Sequence, residues 1–565
     1  MTDVARRVRA VSIAPLDTSV HRGSDGVVYM RSRHRLGAYP NRITERLEYW
    51  ADRAPDRPFL AQRDATGSWR HVSYADALAR VRRLSQALLD RNLSRDRPVI
   101  ILSGNSIEHG LLALAAMFSG VMYAPVAPAY SLQAKEFGLL AQIFERLQPG
   151  LVFAAEGAAF ERALGRVLPA GVELVVSSFL PERSAAPAAL AATPFAELEA
   201  VPAASAVDEA SARVGPDTIA KILFTSGSTG RPKGIVHLQH DMAYSDKAFA
   251  HNVLKLTPDD ICFSVPKIFF AYGFGNSITF PFSAGAATLL LPGQPKPQAI
   301  FEAIERYRPT VFFGLPTLYT SLTKAEGAAR GDFASLRMAL SAAEVLSADV
   351  FQGWKRLTGL EIVEGLGSTE VLHIYLCNRA EKKKPGAAGL RVPGYEIALR
   401  DSNRRDVADD EEGILWVRGD SNTPLYWNRP DKSAETIREG GWIYTGDRFV
   451  RDKDEFYFFR GRADDLIKIS GQWVYPLEVE LCLAEHPDVR ECAVFAAELP
   501  DRRMTLKAIV VMNSAAFDAG ETAKDLQDFV KAKLLPYKYP REITFIDELP
   551  KTGTGKIDRQ ALLKV

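Results

Sequence analysis

The chain predicts an α/β architecture with a smaller α+β domain at its C-terminal end, and three features point to it. Amphipathic helical patterns such as residues 79–93 alternate with short apolar runs such as Val99–Leu102, which argues for helices layered on sheets. At 565 residues, 47% of them hydrophobic, the chain exceeds one ordinary domain and has ample material for a core. A turn-rich, charged stretch at 461–465 follows the strand-like run 456–459. The sequence beyond it carries its own strands (493–496, 508–512) and a helix (523–534). The expected organisation is an irregular extension over 1–40, a large domain over 41–462 and a small one over 463–565. Residues 183–212, rich in Ala, Pro and Ser, read as a surface excursion.

Charge excludes some partners. Seventy basic residues against 69 acidic give +1, so no field for nucleic acid or a membrane surface is implied. No apolar run approaches the roughly 18 residues of a membrane span. Arg6, Arg7 and Arg9 are not followed by a continuous apolar core, which argues against a secretory signal and leaves a disordered leader or a transit peptide. Cys262, Cys377, Cys482 and Cys492 are scattered, with no Cys-x-x-Cys. Buried free thiols in a reducing, cytoplasmic compartment are expected.

The most informative stretch is 225–237, Thr-Ser-Gly-Ser-Thr-Gly-Arg-Pro-Lys-Gly-Ile-Val-His, after the apolar run Ile222, Leu223, Phe224. Glycines let successive backbone N–H groups converge on one point, hydroxyls add donors, and Lys233 adds a charge. The stretch reads as a polyphosphate cradle. Pro232 and Gly234 flank the lysine, so no hydroxyl stands where Gly-x-x-x-x-Gly-Lys-Ser/Thr presents its magnesium ligand. The β-branched residues that follow predict strand–loop–strand.

Three more segments sharpen this reading. Gly365-Leu366-Gly367-Ser368-Thr369-Glu370 is a second small-residue loop, whose carboxylate suits Mg²⁺ on phosphate oxygens. Tyr444-Thr445-Gly446-Asp447 sets a carboxylate after a turn, able to accept from ribose hydroxyls. Pro550-Lys551-Thr552-Gly553-Thr554-Gly555-Lys556 carries a lysine on a loop near the C-terminus.

In this order and spacing, together with Gly461-Arg462-Ala463-Asp464-Asp465, the segments resemble the adenylate-forming superfamily of acyl-CoA synthetases, adenylation domains and luciferases. The resemblance runs from about residue 40 to the end. It implies a large multi-sheet layered domain and a small mobile one, with ATP, Mg²⁺ and coenzyme A as reactants or cofactors. Thr225, Ser226, Gly227, Ser228, Thr229, Gly230 and Lys233 would hold the β- and γ-phosphates. Thr369 would contact the α-phosphate, Glu370 would ligate the metal, and Asp447 and Arg462 would bind ribose. Lys556 would bridge the carboxylate and α-phosphate as the adenylate forms. Asp464 matches the hinge of the small domain, and Ser470, Gly471, Gln472 and Trp473 match the coenzyme A tunnel. Many members carry an aromatic where Leu366 stands, to stack on adenine. Leu366 offers only apolar contact, which shifts the expected adenine wall to Ala342, Ala343 and Glu344.

The acid is read from two sets of segments. Residues 267–275 (Lys-Ile-Phe-Phe-Ala-Tyr-Gly-Phe-Gly), 368–374 and 468–471 look like the benzoate–CoA ligase group. That likeness makes Phe270, Ala271, Tyr272, Gly367, His373 and Ile374 the acid pocket; aromatic and apolar walls suit a flat ring. Segments 36–40, 102–109 and 123–132 look like bacterial feruloyl-CoA synthetases. The expected activity is therefore an aromatic acid:CoA ligase that makes an acyl-adenylate and then a thioester, releasing AMP and diphosphate, with benzoate-type acids leading. Hydroxycinnamate–CoA ligation and loading of a separate carrier protein are the alternatives. The expected partners are small molecules, neither nucleic acid nor membrane, and a dimer is compatible with this reading.

Overall fold

A computed structural model describes residues 18–22, 28–32, 36, 38–63, 67–134, 136–178, 190–226, 232–325, 327–328, 331–463, 467–469, 472–498, 504–514, 516–535, 537–551 and 557–562. Two compact units result, residues 1–39 and 40–565. In the first, Thr18–Arg22 pairs antiparallel with Val28–Ser32.

The second unit is built on two large sheets. One has seven strands in the spatial order Pro232–Leu238, Ile219–Ser226, Tyr123–Pro125, Val99–Leu102, Leu151–Glu156, Glu173–Ser178, Thr193–Pro194. All but the first are parallel. The other has nine strands, whose parallel centre includes Ile261–Ser264, Val311–Gly314, Met338–Ala342 and Ile362–Gly367. Ile374–Cys377 returns antiparallel at one side. The helix Ile107–Ser119 is buried at every position, as its predominantly apolar circumference requires, and Glu108 is paired with Arg70 at 2.7 Å. In sheets of this kind, ligands lie off the carboxyl ends of the strands, and the cradle and the Gly367–Glu370 turn both leave from such ends.

Beyond residue 462 three strands, Val489–Glu498, Met504–Met512 and Glu542–Phe545, form a sheet. Its alternate residues face two clusters: Val494, Ala508 and Val510 pack with Val479, Leu526 and Val530, and Ala493, Ile509 and Val511 with Leu549 and Leu562. A period of two covers both faces.

Some local expectations change. The stretch 183–212 is more than an excursion: within its described part, Phe195–Ala200 and Ser205–Arg213 are helices that bury Phe195, Leu198 and Val207. Pro and Ala content hid these short amphipathic turns. Asp447 does not follow a turn; it lies inside the strand Trp442–Arg451, which Gly446 bends with φ 74. Likewise 365–367 complete a strand before a single 3₁₀ turn at Thr369–Val371. The four cysteines are free and buried.

Candidate active site

The cradle is the hairpin of Ile219–Ser226 and Pro232–Leu238, in which Thr225 pairs with Lys233. Strand–loop–strand is thus what the β-branched residues produce. Gly227, Ser228, Thr229 and Gly230 lie outside the described residues, as does the side chain of Ser226. One segment, 421–427, staples this hairpin to the Thr369–Val371 turn. Trp427 N donates to Gly234 O (2.7 Å) and Thr423 Oγ1 to Val236 O (2.8 Å). Thr423 N donates to Glu370 O (2.7 Å) and Ser421 Oγ to Val371 O (2.9 Å).

A second tie is fully buried. His237 Nε2 meets Thr369 O at 2.7 Å while Nδ1 meets Asp241 Oδ2 at 2.8 Å. A carbonyl only accepts, so Nε2 carries the hydrogen there. Asp241 Oδ2 also accepts from Leu238 N at 3.0 Å. The hairpin and the turn are therefore locked together by side chains and backbone.

Beside Thr369 lies a chamber of about 80 Å³, lined by Phe270, Ala271, Tyr272, Ala342, Ala343, Gly367, Ser368, Thr369, Leu372, His373 and Ile374. Every expected acid-pocket residue is among them. Of the neighbouring aromatics, Phe269 and Phe274 are core, 7% and 1% exposed. Gly367 is needed where its strand crosses the returning chain, because a Cβ there would stand 2.4 Å from His373 O. Ala343 and Leu372 carry φ of 76° and 73°, a strained backbone for residues with side chains. Burial pushes the His373 imidazole down to about 3, so the ring is neutral in neutral solution. Its Nε2 faces Tyr272 O at 3.4 Å, while buried Nδ1 has no partner among the described residues.

A larger cavity of about 370 Å³ adjoins through the chain itself, because Ala343 faces the chamber and Glu344 faces this space. Its lining also includes Val345, Gly461, Arg462, Ile557 and Arg559. Arg462 Nη1 donates to Asp447 Oδ1 at 3.0 Å across paired strands. Lys556, Asp464, Ser470 and Gly471 lie outside the described residues, as does the Trp473 side chain, while Gln472 is exposed. The base of the lysine loop is described. Lys551 bridges Ile557, Asp558 N donates to Pro550 O (2.7 Å), and Arg559 holds both Glu480 oxygens at 2.7 Å. Tyr130, beyond the strand Tyr123–Pro125, has its phenol raised by burial and then by the charge of Asp558. Ile557 and Arg559 thus line the cavity, and Asp558 lies near enough to Tyr130 for its charge to act on that phenol.

Among the described residues no group of three or more His, Cys, Asp or Glu could hold a metal by itself. Mg²⁺ favours one or two carboxylates completed by phosphate oxygens and water, and half-buried Glu370 beside the cradle fits that donor set.

Residues 47–427 match the family described as AMP-binding enzyme, and residues 478–556 match the AMP-binding enzyme C-terminal domain. The chain belongs to the AMP-binding enzyme family. Among relatives of this AMP-binding enzyme, the benzoate–CoA ligase of Thauera aromatica is 40% identical over 402 residues, 71% of this chain and 73% of that protein. The 4-hydroxybenzoate–CoA/benzoate–CoA ligase of Rhodopseudomonas palustris is 33% identical over 499 residues, 87% and 89% of the two. A solved benzoate CoA ligase from Burkholderia xenovorans LB400 superposes with a TM-score of 0.81 at 33% identity, over 92% of this chain and 99% of that one.

The α/β class with large and small segments holds for this AMP-binding enzyme. Sequence reading passed over Tyr426, which donates to Glu370 Oε1 at 2.8 Å, and Asp241, the partner of His237. The i, i+4 spacing of His237 and Asp241 at a strand-to-helix junction was a usable signal. Nothing local marks Tyr426, because its partner is 56 residues away.

Proposed function

We infer that the chain is an AMP-forming aromatic acid–CoA ligase acting on benzoate-type acids. A carboxylate oxygen attacks the α-phosphorus of ATP, diphosphate leaves, and the acyl-adenylate remains. The thiol of coenzyme A then takes the acyl carbon, and AMP departs. The observation that carries the acid class is the chamber of about 80 Å³ opening on Ser368 and Thr369. Its volume and its Phe270, Tyr272 and Ile374 walls suit one ring better than a ring with a propenoate arm. The relatives named above, benzoate and hydroxybenzoate ligases, support the same reading.

In this proposal the ring packs against the chamber walls and its carboxylate points at Thr369, which holds the α-phosphate. Neutral His373 adds no charge; with Nε2 donating to Tyr272 O, Nδ1 can accept from a ring hydroxyl or amine. Thr225, Ser226, Gly227, Ser228, Thr229, Gly230 and Lys233 bind the β- and γ-phosphates. Ala343 and Glu344 border adenine, and Asp447 with Arg462 holds ribose. Glu370 is the metal's protein ligand, and Mg²⁺ there would neutralise phosphate charge. Lys556 spans the carboxylate and α-phosphate. No covalent nucleophile is required, because alignment of two anions and charge neutralisation lower the barrier.

The small domain, 463–565, then turns about Asp464, withdrawing Lys556 and bringing Ser470, Gly471, Gln472 and Trp473 to the pantetheine path. No helix among the described residues is long and apolar enough to cross a membrane.

A panel of acids assayed for AMP release with coenzyme A tests this reading. Benzoate and its hydroxy and amino derivatives should exceed cinnamates. Higher kcat/KM for coumarate or ferulate would move the chain to the hydroxycinnamate class. Adenylation without thioester formation on free coenzyme A would favour a carrier protein as acceptor.

A further inference from the structure

Tyr426 stands between the two charged parts of the phosphate site. It is 3% exposed, and its hydroxyl donates to Glu370 Oε1 at 2.8 Å. Its ring faces the Lys233 ammonium, 5.8 Å from Nζ to the ring centre, within cation–π range. The backbone is equally committed. Tyr426 bridges Ile235 in the cradle's second strand, its N–H donates to Ser433 Oγ at 2.9 Å, and the next residue donates to Gly234 O. One rigid aromatic thus reaches a cation with its face and a carboxylate with its edge.

We propose that Tyr426 is a positioning residue that aims the Glu370 carboxylate at the metal–phosphate site and sets Lys233 against it. The hydrogen bond occupies Oε1 and restricts rotation of the carboxylate, so Oε2 would be the oxygen offered to Mg²⁺. The Glu370 backbone is already held through its carbonyl by Thr423 N at 2.7 Å. With both ends of the residue held, the carboxylate need not be ordered when MgATP arrives. Groups that hydrogen-bond a metal's ligands typically change metal affinity by about 10–100-fold when removed. The inference rests on Glu370 being the metal ligand of the proposed function.

The two arms separate by substitution. Tyr426→Phe keeps the ring under Lys233 and removes only the donor; Tyr426→Leu removes both. The experiment is calorimetric binding of ATP to the full chain, with no acid and no turnover, in EDTA and across a Mg²⁺ titration. Wild type, Tyr426→Phe, Tyr426→Leu and Glu370→Gln are compared, and thermal unfolding verifies that each is folded. Tyr426→Phe should bind metal-free ATP as wild type does and lose about tenfold of the Mg²⁺-dependent gain. Tyr426→Leu should weaken metal-free binding as well. Glu370→Gln should lose the gain, and Tyr426→Phe should add nothing on that background.

A wild-type Mg²⁺ gain in Tyr426→Phe, beside a lost gain in Glu370→Gln, would overturn the inference and leave the metal assignment standing. A wild-type gain in Glu370→Gln would overturn both. Acid-dependent AMP release by wild type reports on the ligase reading separately from either result.

Discussion

The proposed acid chamber and the proposed phosphate side adjoin at Thr369 and are held by opposite means. The chamber is held by packing. A Cβ on Gly275 would stand 2.5 Å from His373 Cδ2, and the His373 ring already lies 4.4 Å from Phe280 and 5.4 Å from Phe249, centre to centre. The phosphate side is held by hydrogen bonds from 421–427 and from His237. A packed wall discriminates by volume and is indifferent to pH, because burial keeps both titratable groups in its lining, His373 and Tyr272, neutral. A hydrogen-bonded frame tolerates small volume changes but loses much when one donor or charge is removed. The two halves should therefore fail differently.

The largest failure is expected at Lys556, the charge proposed to close the phosphate side. Lys556→Ala should lower acyl-adenylate formation by at least about a hundredfold, the scale for losing one transition-state donor. Conversion of supplied acyl-adenylate and coenzyme A should persist. Equal loss in both half-reactions would contradict the assignment.

A smaller loss is expected from volume alone. Gly275→Ala pushes His373 into the chamber, and overpacking of this kind costs about 1–3 kcal/mol. The kcat/KM for benzoate should fall about tenfold while the ATP dissociation constant stays put. A matching loss in ATP affinity would erase the contrast between the halves.

The pH dependence of acid binding is the next test. Burial pushes His373 down to about 3, so the benzoate KM should show no inflection between about pH 5.5 and 8 beyond those of free enzyme groups on the phosphate side. An inflection that vanishes in His373→Gln would show that the ring titrates in this window.

The smallest effect lies behind the chamber, on the helix Asp246–Leu254 that carries Phe249. Burial pushes Asp246 up to about 8, against weaker lowering by the Ser283 hydroxyl, Arg46 and Lys247, with His251 3.7 Å away. A carboxyl raised in the folded state prefers its hydrogen there. Stability is thus full below the ordinary carboxyl range and declines as pH rises toward 8. Asp246→Asn should raise the unfolding temperature at pH 8 more than at pH 5; the reverse order would refute the burial argument.

How much the sequence revealed follows the same division. The hairpin was legible because its signal is local: Ile222–Phe224 and Ile235–Val236 are apolar, and small residues separate them. Phe270, Tyr272, His373 and Ile374 were legible through their likeness to a ligase group, though which phenylalanine faces the chamber depends on how 267–274 turns. Tyr426 was not legible, since its carboxylate partner and its cation come from distant segments that only the fold brings together. The helices at 195–213 escaped because Ala and Pro dilute a short amphipathic pattern, and the bend at Gly446 because its φ sits inside a strand.

The most direct test is exchange of isotopic diphosphate into ATP, measured without coenzyme A. Benzoate should drive the exchange in wild type, more strongly than ferulate, and Lys556→Ala should abolish it. Acid-dependent release of ADP and phosphate, with no diphosphate exchange, would contradict adenylation at this site.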